Sequence, residues 1–272
     1  MDLNNEFKGY IDTHAHYSDE AFDSDRYELI GRLLHGDILC IIDPAVDFAS
    51  SVFALEISKQ FSGYYCAAGI HPHNASEVQS DDYDKLCDLI VADQADNERK
   101  IVAVGETGLD YHYMFSPKEV QIENFRKNIR IALRFGLPLI VHDREAHADT
   151  FNVLREEHAF EGKVLYHCYS GSAEYAAELL KYGCMFSFGG AVTFKNAKKF
   201  ESVLKVIPPC SILPETDSPY MSPVPVRGTR NDSSNLKYIY PALASALGIE
   251  ETDFSGMMIE NTRRFFGICI DL

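Results

Sequence analysis

The chain has 272 residues, of which 46% are hydrophobic, 24% charged and 12% aromatic, an ordinary globular composition that argues against a disordered or low-complexity protein. Its net charge is −16, from 41 acidic and 25 basic residues, and a field of that sign works against wrapping a polyanion over a broad surface. No apolar run approaches the ~18 residues of a membrane-spanning helix, and Met1–Glu6 carry neither the basic nor the apolar part of a signal peptide, so a soluble cytoplasmic protein is expected.

In chain order the apolar runs are Gly9–Asp12, Ile38–Ile42, Tyr64–Ile70, Ile101–Val104, Leu137–Val141, Val164–Tyr166, Cys184–Phe188 and Cys210–Leu213. Short and apolar on both faces, these eight runs read as buried parallel strands. Amphipathic stretches lie between them. Asp47 opens a helix that stops at Gly63, and Ser172 opens one that stops at Gly183. Ser116 is placed to cap a third, with Pro117 at its first position, Glu119 closing a capping box, and Ile122, Phe125, Ile129 and Leu133 on one face up to a stop at Gly136. Helices over Leu236–Leu247 and Phe254–Phe266 end the chain. Strand ends taken at His14, Pro44, His71, Glu106, His142, His167, Gly189 and Asp217 recur about every 29 residues, the period of an α/β chain folded as a (β/α)8 TIM barrel. A single domain over residues 1–272 is expected; a doubly wound sheet, the competing α/β fold, often has a Gly-rich first turn that is missing here.

Seven cysteines, with no Cys-x-x-Cys pair, fit reduced thiols rather than disulfides or a zinc ribbon, and Cys40, Cys66, Cys168 and Cys184 fall in apolar runs. The histidines are distributed less evenly. Seven of the ten (His14, His16, His71, His73, His112, His142, His167) fall at or just after the C-terminal end of a strand, whereas His35, His147 and His158 fall in predicted helices. A barrel gathers those strand ends on one rim, where active sites are built. His14 and His16, two apart on a strand, face the same way. With Glu106, His142, His167 and Asp217 they supply four imidazoles and two carboxylates, more than one tetrahedral ion uses and an inventory for two divalent ions with a bridging carboxylate. Such a mixed set suits zinc, manganese, cobalt or iron, and magnesium less well.

At these residues the sequence resembles the TatD-type metal-dependent deoxyribonucleases of the amidohydrolase-like barrels. The matching motifs are Ile11-Asp-Thr-His14-Ala-His16, Gly69-Ile-His71-Pro-His73, Val104-Gly-Glu106-Thr-Gly-Leu-Asp110-Tyr111, Pro138-Leu-Ile-Val-His142-Asp-Arg144, His167-Cys-Tyr-Ser-Gly171 and Pro214-Glu-Thr-Asp217-Ser-Pro-Tyr220. The run Pro223–Gly228 is similar to a subgroup described as metal-dependent hydrolases or deoxyribonucleases. The resemblance implies that His14, His16, Glu106 and Asp217 hold one metal, and Glu106, His142 and His167 a second. After Arg230-Asn231 the family commonly has an acidic or polar residue and then proline, where this chain has Asp232-Ser233-Ser234.

On this reading the activity is hydrolysis of phosphodiesters at DNA ends, the substrate entering a local pocket as a single strand or a frayed end. Asp217 is the candidate proton acceptor and Glu106 the bridge; His73 and Arg144 are placed to contact the substrate phosphate, Arg144 as a bidentate donor. Asp12 and Asp110 are placed to orient ligands. Tyr111, Tyr113, Tyr169 and Tyr220 lie near the rim, where aromatic rings either stack a base or pack the top of the barrel. The alternatives are hydrolysis of a small ester, amide or lactone by the same metals and, from another class, a non-enzymatic metal-binding or scaffold protein. Related binuclear barrels often bridge their metals with a carboxylated lysine; Glu106 at the corresponding strand favours the nuclease branch. No membrane association and no obligate protein partner is expected.

Overall fold

The computed structural model describes residues 7–195 and 198–272. Eight parallel strands alternate with helices in the order that the apolar runs predict. The strands are β1 (Tyr10–Asp12), β2 (Ile38–Pro44), β3 (Tyr64–Ala68), β4 (Ile101–Asp110), β5 (Leu139–Arg144), β6 (Val164–Tyr166), β7 (Met185–Phe188) and β8 (Ile212–Pro214). Each pairs with the next in sequence order. The ring closes between the last strand and the first: Thr13 N–H donates to Pro214 O at 3.1 Å, Asp217 N–H to His14 O at 2.9 Å and His16 N–H to Ser218 O at 2.7 Å. This is the (β/α)8 barrel that the strand period predicts.

The helices are α1 (Arg26–Leu34), α2 (Phe48–Ser58), α3 (Asp82–Gln94), α4 (Lys118–Phe135), α5 (His147–Glu156), α6 (Ala173–Leu180), α7 (Lys198–Leu204), α8 (Leu236–Leu247) and α9 (Glu251–Phe266). Local chemistry fixes several of their ends. The Asp47 side chain accepts from Ser50 N–H at 2.7 Å, and Ser50 Oγ accepts in return from Asp47 N–H, a reciprocal cap. Ser172 caps α6 through Tyr175 N–H, and Gly136 ends α4 at φ +63°. Ser116 departs from expectation. It does not cap α4; its hydroxyl donates to His73 O and accepts from Ser76 N–H, tying the β4–α4 loop to the loop after β3. His158 likewise lies outside a helix, in a left-handed turn after α5.

Two layers of apolar side chains make the core. One lies between sheet and helices and includes Leu29, Tyr64, Phe125, Phe186 and Leu243. The other takes Ile11, Cys40, Ile42, Ala67, Ile140, Leu165 and Leu213 from the strands, with Phe265, Phe266, Ile268 and Ile270 from the chain's end. It fills the barrel interior and floors it, so the polar strand ends sit above a packed apolar plug. All seven cysteines are free; Cys40, Cys66 and Cys184 are buried as expected, whereas Cys168 is half-buried at the rim. No helix among the described residues is long and apolar enough to cross a membrane.

β4 runs four residues past the predicted end at Glu106, and its register against β5 explains how Glu106 is aimed. Val104 pairs with Leu139 and Thr107 with Val141, so β4 spends one residue more than β5 over that span. Such a bulge re-aims a side chain. Gly69 passes so close that a Cβ there would meet Gly105 N at 2.7 Å.

Beyond the bulge, Gly108 has φ +142° and a Cβ would lie 2.0 Å from His142 O, a backbone atom that cannot yield. Gly108→Ala is expected to cost at least about 3 kcal/mol in urea denaturation. Gly136→Ala, with φ +63° and open space around it, should cost about 1 kcal/mol. Equal losses would refute the close approach of β4 to β5.

Candidate metal centre

Five strand ends bring the centre together. β1 leads into His14 and His16, whose Nε2 atoms converge to 3.1 Å. Asp217 arrives from the end of β8 at φ +58°, with Oδ1 3.9 Å from His14 Nε2 and 3.7 Å from His16 Nε2. The bulge in β4 turns Glu106 into the middle. His142 on β5 and His167 after β6 complete the ring.

Glu106 is the hub. Its Oε2 lies 3.0 Å from His14 Nε2 and 3.4 Å from His16 Nε2. Its Oε1 lies 2.6 Å from His142 Nδ1, 2.8 Å from His167 Nε2 and 3.3 Å from His71 Nε2. One carboxylate thus faces two separate groups of imidazoles, one per oxygen. Four sets of donor atoms lie close enough to share an ion: His14, His16 and Glu106; Glu106, His142 and His167; His14, His167 and Asp217; and His71, His73 and His142. All six residues singled out from the sequence meet here.

The electrostatics follow from burial and crowding. Burial pushes the Glu106 carboxyl upward, but His167, His71 and His14 around it prevail and hold it well below the usual carboxylate range. Asp217 is also held low, burial being outweighed by the hydrogen bond from His16 and the neighbouring imidazoles. Burial opposes charge on His16, yet Asp217 and Glu106 lift it to about 10. His71 drops to about 4 and His14 also falls, both chiefly through burial. The cavity therefore favours positive charge strongly enough to protonate a buried imidazole, and a divalent cation satisfies the same field with neutral histidines as ligands. His14 Nδ1 and His167 Nδ1 are buried without a hydrogen-bond partner among the described residues. Nitrogen and oxygen donors around a shared carboxylate fit borderline divalent metals.

Carboxylates behind the ring hold it in place. Asp110 Oδ2 lies 2.9 Å from both His142 Nε2 and His73 Nε2, while its Oδ1 accepts from His112 N–H and Tyr113 N–H. Asp12, fully buried, accepts from Thr216 N–H and Oγ1 and, at 2.6 Å, from the Ser233 hydroxyl. It thereby joins the strand of His14 to the loop of Asp217. Ser233 stands where the resembling family commonly has proline, and here it fills that position with a donor that Tyr17 also holds. Burial raises the Asp12 carboxyl to about 7 against these hydrogen bonds. Glu215 Oε2, fully buried, accepts from Ser187 at 2.5 Å and lies 3.7 Å from His167 Nδ1.

The two expected phosphate contacts differ. His73 reaches the rim, but its Nε2 faces Asp110 and its ring packs edge-on against Phe115. Arg144 ends β5 half-buried with its guanidinium 4.7 Å from the Tyr113 ring centre. Among the described residues no carboxylate pairs with it. Tyr169 is buried, its hydroxyl donating to Ser172 O, and Tyr111 donates to Asp149; Tyr113 and Tyr220 are exposed. The sequence reading missed the contact of His71 with Glu106, although His71-x-His73 repeats the spacing of His14-x-His16. Glu215, two residues before Asp217, carries no strand-end signal of its own, and the departure at Asp232-Ser233-Ser234 does not by itself reveal that Ser233 donates to Asp12.

The family described as TatD related DNase matches residues 11–267. The uncharacterized metal-dependent hydrolase YabD of Bacillus subtilis strain 168 is 38% identical over 258 residues, covering 95% of this chain and 99% of that protein. The uncharacterized metal-dependent hydrolase YcfH of Escherichia coli K12 is 31% identical, covering 95% and 96%. The crystal structure of YJJV, a TatD homolog from Escherichia coli K12, superposes with a TM-score of 0.86 at 25% identity, covering 96% of this chain and 98% of that one. The chain belongs to the TatD-related DNase family and is a metal-dependent hydrolase.

Proposed function

We propose that the protein is a phosphodiesterase that holds two divalent ions and hydrolyses DNA from its ends. The observation that carries this reading is the division of labour on Glu106, one oxygen toward His14 and His16 and the other toward His142 and His167. On this reading His14, His16, Glu106 and Asp217 hold one ion, and Glu106, His142 and His167 the other. Zinc, manganese and cobalt suit the nitrogen-rich donor set best, magnesium less well. A bound pair of divalent ions neutralises phosphate oxygens and acidifies a water molecule in a dry site.

The chain's own residues supply the rest. Asp217, ionised at neutral pH because its carboxyl is held low, accepts the proton of the attacking water. Its side chain is the more exposed of the two central carboxylates, 16% against 3%. Arg144, free of any carboxylate among the described residues, offers a planar pair of donors to a phosphate. His73 is anchored on Asp110, which suits it to position His142 and the rim loop more than to grip phosphate. The family match supports DNA as the substrate; the metals alone would serve a small ester equally well.

Incubating metal-reconstituted protein with end-labelled single-stranded and duplex DNA, with and without chelator, tests the reading. Chelator-sensitive release of mononucleotides is expected. Inert DNA alongside cleavage of a small ester or lactone would overturn it. His142→Ala should lower kcat/KM on DNA by more than about 100-fold, since even partners behind a ligand are worth 10–100-fold.

Metal content gives an independent check. After dialysis, wild-type protein is expected to retain about two ions per chain and Glu106→Gln fewer than one, because the bridging carboxylate serves both positions. Elemental analysis showing undiminished metal in the variant would remove Glu106 from the bridge.

A further inference from the structure

Three exposed apolar side chains follow one another on the β4–α4 loop at the edge of the metal centre. Tyr113 is 49% exposed, Met114 39% and Phe115 66%. Tyr113 and Phe115 are stacked, their ring centres 5.4 Å apart and their planes 10° from parallel. His73 stands edge-on to both, at 5.5 Å and 4.9 Å, and its ring centre is 6.0 Å from that of His142. A single imidazole therefore separates the stacked pair from a central histidine.

The loop is pinned rather than loose. Asp110 receives Tyr113 N–H with the same carboxylate that faces His142 and His73. Gln121 donates to Asp110 O and Ser116 O, and the Ser116 hydroxyl donates to His73 O. The stacked rings are thus held in register with the metal centre, so a ligand that uses them meets a preorganised surface. The Arg144 guanidinium lies over the Tyr113 ring, 4.7 Å from its centre, so Tyr113 carries a cation and packs on Phe115, the more exposed ring of the pair. A largely exposed Phe115 ring backed by Tyr113, a cation on that stack and a neighbouring centre of metal-type ligands match what an unpaired nucleotide offers: a base with two π faces attached to a phosphodiester.

We propose that Tyr113 and Phe115 form a stacking platform for an unpaired base at the end of a DNA strand, with Arg144 beside it on the adjoining phosphate. This deepens the function proposed above by assigning the site its subsite for a nucleobase. Because every base has a π face, the platform tolerates any sequence and selects single-stranded over paired ends.

The test compares two oligonucleotides of one length, one normal and one carrying abasic sites at its last three positions at each end, on metal-loaded wild-type protein and on the Tyr113→Leu/Phe115→Ala double variant. Each protein acts on both strands, so a variant that folds poorly lowers both rates and leaves their ratio intact. Wild type is expected to prefer the normal strand by at least about fivefold in kcat/KM, mostly through KM, the low end of base–aromatic stacking. The double variant should bring that ratio toward one, and Phe115→Trp should keep or raise it. A ratio unchanged in the double variant overturns the platform while leaving the nuclease reading in force. If wild-type protein cleaves neither strand, fluorescence anisotropy of the labelled oligonucleotides decides: base-dependent binding lost in the double variant upholds the platform without the nuclease reading, and binding indifferent to bases or to the variant overturns it.

Discussion

A carboxylate buried to 2% exposure with five imidazole nitrogens within 3.4 Å is the constraint around which the rest of this barrel is arranged. A lone buried carboxylate is costly, and so is a crowd of buried imidazoles without acceptors. Placed together they offset one another only when positive charge sits among them. Protons can supply some of that charge, as the raised His16 indicates. Yet His14 and His16 nitrogens at 3.1 Å leave room for no more than one proton between them. Cations resolve the crowding in a way that protons cannot, by accepting several lone pairs at once.

Behind this hub stands a second tier of acids, each joining parts of the chain that are distant in sequence. Asp12 links β1 to the loop after β8 and to Ser233; Asp110 links β4, β5 and the aromatic loop; Glu215 links β7 to the far side of His167. Each carboxylate serves backbone or hydroxyl donors with some of its lone pairs and an imidazole, or an element that carries one, with the rest. Ring orientation is thereby settled before any cation arrives. The barrel floor contributes indirectly: Ile11, Ile140 and Leu213 pack beneath, an apolar layer that strengthens the electrostatic contrast favouring cations.

Much of this was legible in the sequence because strand alternation and strand-end position are local signals. Eight apolar runs at a steady period gave the barrel, and His14-x-His16 followed from the two-residue repeat of a strand. The strand-end rule also gathered Glu106, His142, His167 and Asp217. What escaped depends on register and on contacts between distant segments. The bulge that aims Glu106 exists only in the pairing of β4 with β5, and the continuation of β4 to Asp110 comes from that same pairing. Ser116 has every local mark of a helix cap, but two loop contacts, Ser76 N–H and His73 O, claim its hydroxyl. Ser233 acquires meaning only when a chain end more than two hundred residues away from Asp12 folds back onto it.

The acidity of the whole chain narrows how a polyanion could approach. With a net charge of −16, long-range attraction cannot supply the affinity that basic nucleic-acid-binding surfaces draw from counterion release. Binding energy must then come from short-range sources within about a Debye length of the mouth. On the proposed function three are at hand: divalent cations against phosphate, the guanidinium of Arg144, which no carboxylate pairs with among the described residues, and exposed aromatic side chains whose contacts are indifferent to salt. Repulsion elsewhere disfavours a duplex lying along the surface, whereas a single end inserted into the mouth avoids most of it. The same charge that counts against a general DNA-binding protein is therefore compatible with the proposed admission of a strand by its terminus, and on that proposal terminal specificity would follow from electrostatics as much as from pocket shape.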